Sequence, residues 1–191
     1  MKKSVIFVGV GGQGAILAAK ILIQGVMSEG YDVKMSEVHG MSQRGGSVST
    51  QVHFGDKVYA PVVGKGEADI LVAFERMEAL RYAEYLKPDG VAIINDYAMP
   101  SVSTAAGLCQ YPEGCVEAME KLFDCHVLDA EAIALFLGNA KCMNVVLFGA
   151  MTKVLGMDDV NWEEIIRQTV PAKFVDLNLR AYRAGRDAVM A

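Results

Sequence analysis

Ser4-Val5-Ile6-Phe7-Val8-Gly9-Val10-Gly11-Gly12-Gln13-Gly14 is a short apolar strand running into a glycine loop, and Ala15-Ile16-Leu17-Ala18-Ala19 continues it as an apolar helix. Strand, loop and helix in this order are what a phosphate-binding turn requires. Gly9 permits the tight turn, Gly11 the close approach of backbone to an anion, and Gly14 the packing of helix on strand. The helix N-terminus adds unpaired N–H groups and the positive end of a dipole. Glu37 ends the next strand, where a ribose-binding acid sits in dinucleotide folds. The same glycines also serve simply to let the first helix pack tightly, and a lone Gly-x-Gly-x-x-Gly does not choose between these readings.

Working outward, Val33 to Val38 reads as a second strand after a helix from Gly14 to about Ser28 that Gly30 ends. Ser47 to Phe54 and Lys57 to Val63 read as two strands joined by Gly55-Asp56, a hairpin insert over about 47–63 with Pro61 at an edge. The alternation resumes with a strand over Ile70 to Phe74, a helix from Glu75 to Leu86, a turn at Pro88-Asp89-Gly90 and a strand over Val91 to Asn95. Tyr97 to Glu113 reads as a loop with room for one short strand. A helix over Cys115 to Phe123, a strand over His126 to Leu128 and a helix over Ala130 to Leu137 capped by Asp129 follow. Asn139 to Leu155 is apolar on nearly every side and must be buried, and Asn161 with Glu164 forms a capping-box pattern before Trp162. The last helix, from about Pro171, lines up Phe174, Leu177, Ala181, Ala184 and Ala188 on one stripe. The expected fold is α/β: a Rossmann-like three-layer α/β/α domain spanning 1–191, with a mostly parallel sheet and the hairpin insert.

The chain has 191 residues, of which 52% are apolar, and a mean hydropathy of +0.26, more apolar surface than one small core needs. That excess points to a large partner interface. A net charge of -5 and a pI near 5.2 argue against nucleic acid or an anionic membrane as partner. Lys2 and Lys3 precede an apolar run, but Val5 to Val8 breaks at Gly9, too soon for a secretory core or a membrane span, so the expected compartment is the cytoplasm. Cys109, Cys115, Cys125 and Cys142 show no Cys-x-x-Cys spacing, so no zinc or iron–sulfur site of this chain's own is expected. They read as buried thiols of a reducing compartment, with a disulfide between Cys115 and Cys125, which bracket a helical stretch, as the alternative.

The most specific segment is Ser36-Glu37-Val38-His39-Gly40-Met41-Ser42-Gln43-Arg44-Gly45-Gly46-Ser47-Val48, directly after the second strand. It leaves the sheet at the same edge as the glycine loop, so the two loops are expected to meet there. Glu37, His39, Gln43 and Arg44 supply an acceptor, a titratable ring, an amide and a permanent cation, and Gly40, Gly45 and Gly46 permit unusual backbone. Such a loop holds an anion, contacts a partner, or is a rigid corner in which Arg44 pairs with Glu37 or backbone carbonyls. The candidate binding set is Gly9, Gly11, Gly12, Gln13, Gly14, Glu37, His39, Gln43, Arg44, Gly45 and Gly46; no residue is assigned a catalytic or metal-binding role.

These two segments, continued by Ala60-Pro61, Glu67-Ala68-Asp69-Ile70-Leu71 and Glu75, Glu78, Ala79, Leu80 and Arg81, resemble the gamma-type subunits of 2-oxoacid:ferredoxin oxidoreductases over essentially the whole chain. Relatives acting on pyruvate or 2-oxoglutarate share the Gly-Gly-Gln-Gly loop, whereas Glu37-Val38-His39-Gly40-Met41 points to the indolepyruvate branch and its beta subunits. The resemblance implies a heteromer with a large alpha subunit that carries thiamine diphosphate, magnesium and 4Fe-4S clusters. It implies coenzyme A as cosubstrate and ferredoxin as electron acceptor, with arylpyruvates converted to aryl-acetyl-CoA. This chain has neither a thiamine diphosphate motif nor a cysteine cluster, so it is expected to be inactive alone. Two other readings stand beside this one: a stand-alone NAD(P)-binding enzyme, which lacks an evident catalytic set, and a protein-binding module in which the loops are only interface.

Overall fold

The computed structural model describes residues 2–39 and 45–189. In chain order the elements are β1 (Lys2–Val10), α1 (Ala15–Ser28), β2 (Asp32–His39), β3 (Ser47–Gly55), β4 (Ala68–Ala73), α2 (Arg76–Arg81), β5 (Leu86–Asn95), α3 (Val102–Ala105), α4 (Cys115–Glu120), β6 (Asp124–Leu128), α5 (Ala130–Phe136), α6 (Met143–Leu155), α7 (Trp162–Thr169) and α8 (Val175–Ala188). The six strands form one sheet in the order β2-β3-β1-β4-β5-β6. β1, β4, β5 and β6 run parallel, and β3 alone opposes its neighbours β1 and β2.

Two cores flank this sheet, as a three-layer α/β/α arrangement requires. On one face Val5, Phe7, Val52 and Phe54 pack under α1, α6, α7 and α8, and on the other Ile6, Val8, Leu71 and Ile94 pack under α2 and α4. α1 ends as the sequence predicts: Gly30 has a φ of +82°, and the amides of Gly30 and Tyr31 close on the carbonyls of Met27 and Val26. Asp129 accepts the Ala132 amide at 2.8 Å and so caps α5. Asn161 accepts the Glu164 amide, but Glu164 turns its carboxylate to Gln168, which leaves half of the expected box.

The hairpin is not where the sequence places it. β3 pairs back with β2, with His39 opposite Val48, and slots between β2 and β1, while 57–63 forms no strand. The reason lies in the two faces of β3. Val52 and Phe54 face α1, whereas Ser49, Gln51 and His53 share the face of Ile6 and Val8 and are buried as well. The 57–63 segment covers that polar face, and its peptide groups bond to side chains instead of a ladder. Gln51 accepts the Val63 amide at 2.7 Å, His53 Nδ1 meets the Ala60 carbonyl at 3.1 Å, and Asp32 accepts the Val58 amide at 2.9 Å.

Three smaller expectations also shift. β5 starts at Leu86, and Pro88-Asp89-Gly90 is absorbed as a bulge between the Ala68–Leu86 and Ile70–Val91 pairs. The 97–113 loop contains the short helix α3 and no strand. α8 buries Asn178, Leu179, Ala181, Tyr182 and Gly185, leaving Phe174 and Ala188 exposed. Close helix crossing sets this rotation: a Cβ on Gly185 would stand 1.9 Å from the Val146 carbonyl oxygen, and one on Gly149 would stand 2.1 Å from that of Tyr182. α6, expected to be buried on all sides, is indeed covered from Met143 to Thr152.

Candidate functional site

α1 follows β1 on one face of the sheet and α2 follows β4 on the other, so the chain reverses its winding between these strands. Their carboxyl ends form the crevice where open α/β sheets place ligands. The glycine loop lies there. Gly12 and Gly14 have φ values of +106° and +87°, which side chains resist, and Gly14 caps α1 without a side-chain bond. Gly14 packs not on a strand but on α6: a Cβ there would stand 2.5 Å from Asn144 Nδ2, which donates to the Gly14 carbonyl at 3.2 Å. Gly9 lies inside β1, and its missing side chain admits Phe74 and the amide of Gln13. Gln13 accepts from the Val10 amide at 2.7 Å and donates to the Phe74 carbonyl at 3.1 Å. Its side chain therefore staples the loop to the end of β4.

The two loops meet as the sequence predicts. Gly11 donates to the Gly46 carbonyl at 2.9 Å, and Gly45 donates back to Gly11 at 3.5 Å. Gly40, Met41, Ser42, Gln43 and Arg44 lie outside the described residues. Beside the junction is a cavity of about 340 Å³ lined by the glycine loop, the start of α1, Glu37, Val38, His39 and the first half of β3. The first residues of α1 and Glu37 both line it. Ile16 and Val38 also line it and remain 46% and 53% exposed. Because β3 intervenes, Glu37 is two strand spacings from β1, roughly 10 Å, rather than the single spacing of about 5 Å of a neighbouring strand. A ribose-binding role for Glu37 thus loses the adjacency on which it rests.

Sequence reasoning missed the buried carboxylates beside this crevice. Glu75, the N-cap of α2, is 0% exposed; its Oε2 accepts the Glu78 amide at 3.0 Å and its Oε1 accepts the Met99 amide at 3.1 Å and the Tyr111 hydroxyl. Burial first, and then the Glu75 carboxylate, hold the Tyr111 phenol above its ordinary pKa, so it stays a donor. Glu78 takes the Ser47 hydroxyl at 2.5 Å and Arg81 Nε at 3.0 Å, which pins the start of β3. An acid at the cap with Glu three residues on was the available signal. All four cysteines are free thiols, and burial pushes Cys125 up to about 11, so it stays protonated at neutral pH. Among the described residues no three His, Cys, Asp or Glu side chains form a metal-holding group, and no helix is long and apolar enough to cross a membrane.

Residues 4–188 match the family model described as pyruvate ferredoxin/flavodoxin oxidoreductase. The chain is 43% identical over 188 residues to the indolepyruvate oxidoreductase subunit IorB of Pyrococcus horikoshii, covering 95% of this chain and 93% of that protein. It is 40% identical over 190 residues to the subunit of the same name from Thermococcus kodakarensis, with the same coverage of 95% and 93%. In three dimensions it matches the gamma subunit of a keto/oxoacid ferredoxin oxidoreductase from Geobacter sulfurreducens, with a TM-score of 0.72 over 97% of each chain at 24% identity.

Proposed function

The chain belongs to the pyruvate ferredoxin/flavodoxin oxidoreductase family, and from that membership we propose that it is the small beta subunit of an indolepyruvate:ferredoxin oxidoreductase. The full-length similarity to two indolepyruvate oxidoreductase subunits carries this reading, and Glu37-Val38-His39-Gly40-Met41 supports it. The complex would take an arylpyruvate anion and coenzyme A to aryl-acetyl-CoA and carbon dioxide, passing two electrons to ferredoxin and releasing one proton. Thiamine diphosphate, held with magnesium in the large alpha subunit, would supply the carbanion chemistry at the keto carbon, and 4Fe-4S clusters there would carry the electrons. The free thiols suit a reducing compartment, the cytoplasm.

This chain's own part is to shape the partner's active site from the carboxyl edge of its sheet. Gln13, Asn144 and the Gly11–Gly46 bonds hold the two loops in one geometry before any partner arrives. An acidic residue lining the cavity and the exposed Ile16 and Val38 favour contact with a protein surface over capture of a bare anion. Arg44→Ala in the assembled complex separates the two roles: an interface role lowers subunit affinity and all activities in parallel, whereas coenzyme A binding raises only its KM. The reading as a whole is tested by coexpressing the chain with the large subunit and following indolepyruvate-dependent reduction of a dye. The complex should turn over and the isolated chain should not. Turnover by the isolated chain, or a complex that prefers pyruvate, would overturn it.

A further inference from the structure

Asp96 to Gly114, between β5 and α4, is nineteen residues long with only the four-residue α3 inside it. Connections of that length in a compact α/β domain serve a function or are linkers. This one is not a linker, because both feet are fastened to the first turn of α2. Arg76 donates its amide to the Tyr97 carbonyl at 3.0 Å, Glu75 accepts the Met99 amide and the Tyr111 hydroxyl, and the Met77 amide donates to Tyr111 at 3.3 Å. One fully buried carboxylate thus closes the neck of an Ω-loop, with no cation among the described residues that bond to it. Burying a charge to close a loop is a costly way to connect a strand to a helix.

What the neck presents is an exposed stretch without charge. From Tyr97 to Pro112 sixteen consecutive residues carry no Asp, Glu, Lys, Arg or His, in a chain that is 21% charged. Ala105 to Gln110 are all exposed, and Leu108 at the tip is 80% exposed. Depletion of charge around an exposed large apolar side chain is the compositional mark of the centre of a protein interface. The loop also leaves the sheet at the carboxyl edge, the same edge as the glycine loop.

We propose that the 97–112 loop is a docking hook for the large subunit, with Leu108 entering an uncharged, apolar recess of that partner. This rests on the reading of the chain as a subunit, and the charge-free stretch names the partner's chemistry: a recess with a charge in its floor would leave that charge desolvated and unpaired against this loop. The Glu75–Tyr111 neck sets the direction of the tip in the free chain, so less order is lost on assembly.

The test uses the full chain and its coexpressed large subunit, with dissociation constants measured after separation. Leu108→Asp should weaken association on the order of tenfold or more and leave the unfolding midpoint of the isolated chain in place. Phe136→Asp on α5, where the side chain is 91% exposed beside Leu135 at 59%, should change association less than about twofold, because it lies outside the charge-free loop. Assembly should also shield the loop from chymotrypsin, and Tyr111→Phe, which leaves the tip intact, should speed cleavage of the free chain and weaken association several-fold. Association of Leu108→Asp within twofold of the parent chain overturns the hook, including when only a KM changes, since the loop is then a lid. A self-dimer that Leu108→Asp abolishes overturns it as well, by making a second copy the occupant. If the parent chain itself ignores the large subunit, the subunit reading falls together with the hook.

Discussion

At the amino edge of the sheet Asp69 is surrounded by cations: Lys87 at 2.7 Å and Lys3 at 3.5 Å, with the Ser4 amide at 2.8 Å. At the carboxyl edge Glu75 has two amides and a phenol. Both carboxylates tie neighbouring segments together, but Asp69 keeps some contact with water and has spare charge around it, whereas Glu75 is sealed and depends on every bond it makes. The difference separates an edge that is closed for stability from one kept open for contact. Ion pairs saturate the first, and glycines, an α1 terminus without a side-chain cap and a charge-free loop furnish the second.

Glu75→Ala should cost the most. It removes the α2 cap and strands the Met99 and Glu78 amides and the Tyr111 hydroxyl, so urea unfolding should show a loss of about 3 kcal/mol. A loss under about 1 kcal/mol would mean that water replaces the carboxylate and that the two edges are alike. Gly14→Ala comes next, at about 2 kcal/mol for a left-handed backbone and a Cβ forced against Asn144. Steady-state assays of the complex should show lower turnover with this variant, because α1 and α6 can separate only by moving the loop. Asp69→Asn is the smallest, about 1 kcal/mol near pH 7, with assembly and activity unchanged. Its pH dependence sharpens the contrast. Burial alone would raise the Asp69 pKa, but the bonds from Lys87 and the Ser4 amide and the charge of Lys3 outweigh it and hold the carboxyl below its ordinary 3.8. The stabilisation is complete above the unfolded-state value and is lost as pH falls through the lower folded value. The gap between Asp69→Asn and the parent chain should therefore stay constant from neutral pH to about pH 5 and close below 3.8.

β1 and α1 are legible in the sequence because an unbroken apolar run, a glycine loop and an apolar helix admit one arrangement. The meeting of the glycine loop with Gly45 and Gly46 is legible for the same reason, since both segments follow strands whose ends share an edge. β3 misleads because Ser49, Gln51 and His53 alternate with apolar residues as in a strand with one wet face, while the structure buries that face under a segment bonded to its side chains. Local periodicity cannot report such a cover. Gly14 misleads differently, because its neighbour Asn144 lies 130 residues away. The weight carried by Glu75 was hidden because it depends on Met99 and Tyr111 arriving from a loop whose composition announces no structure.

The insertion of β3 also orders events on the ribosome. Both partners of β3 and the whole of α1 lie within the first 55 residues, so one side of β1 can pair before β4 emerges from the ribosome. The other side, Val5 to Val8, waits for Ile70 to Ala73. At the usual pace of translation that wait lasts on the order of one to four seconds. Through that interval an unpaired apolar strand edge is the nascent chain's main hazard for pairing with a neighbour.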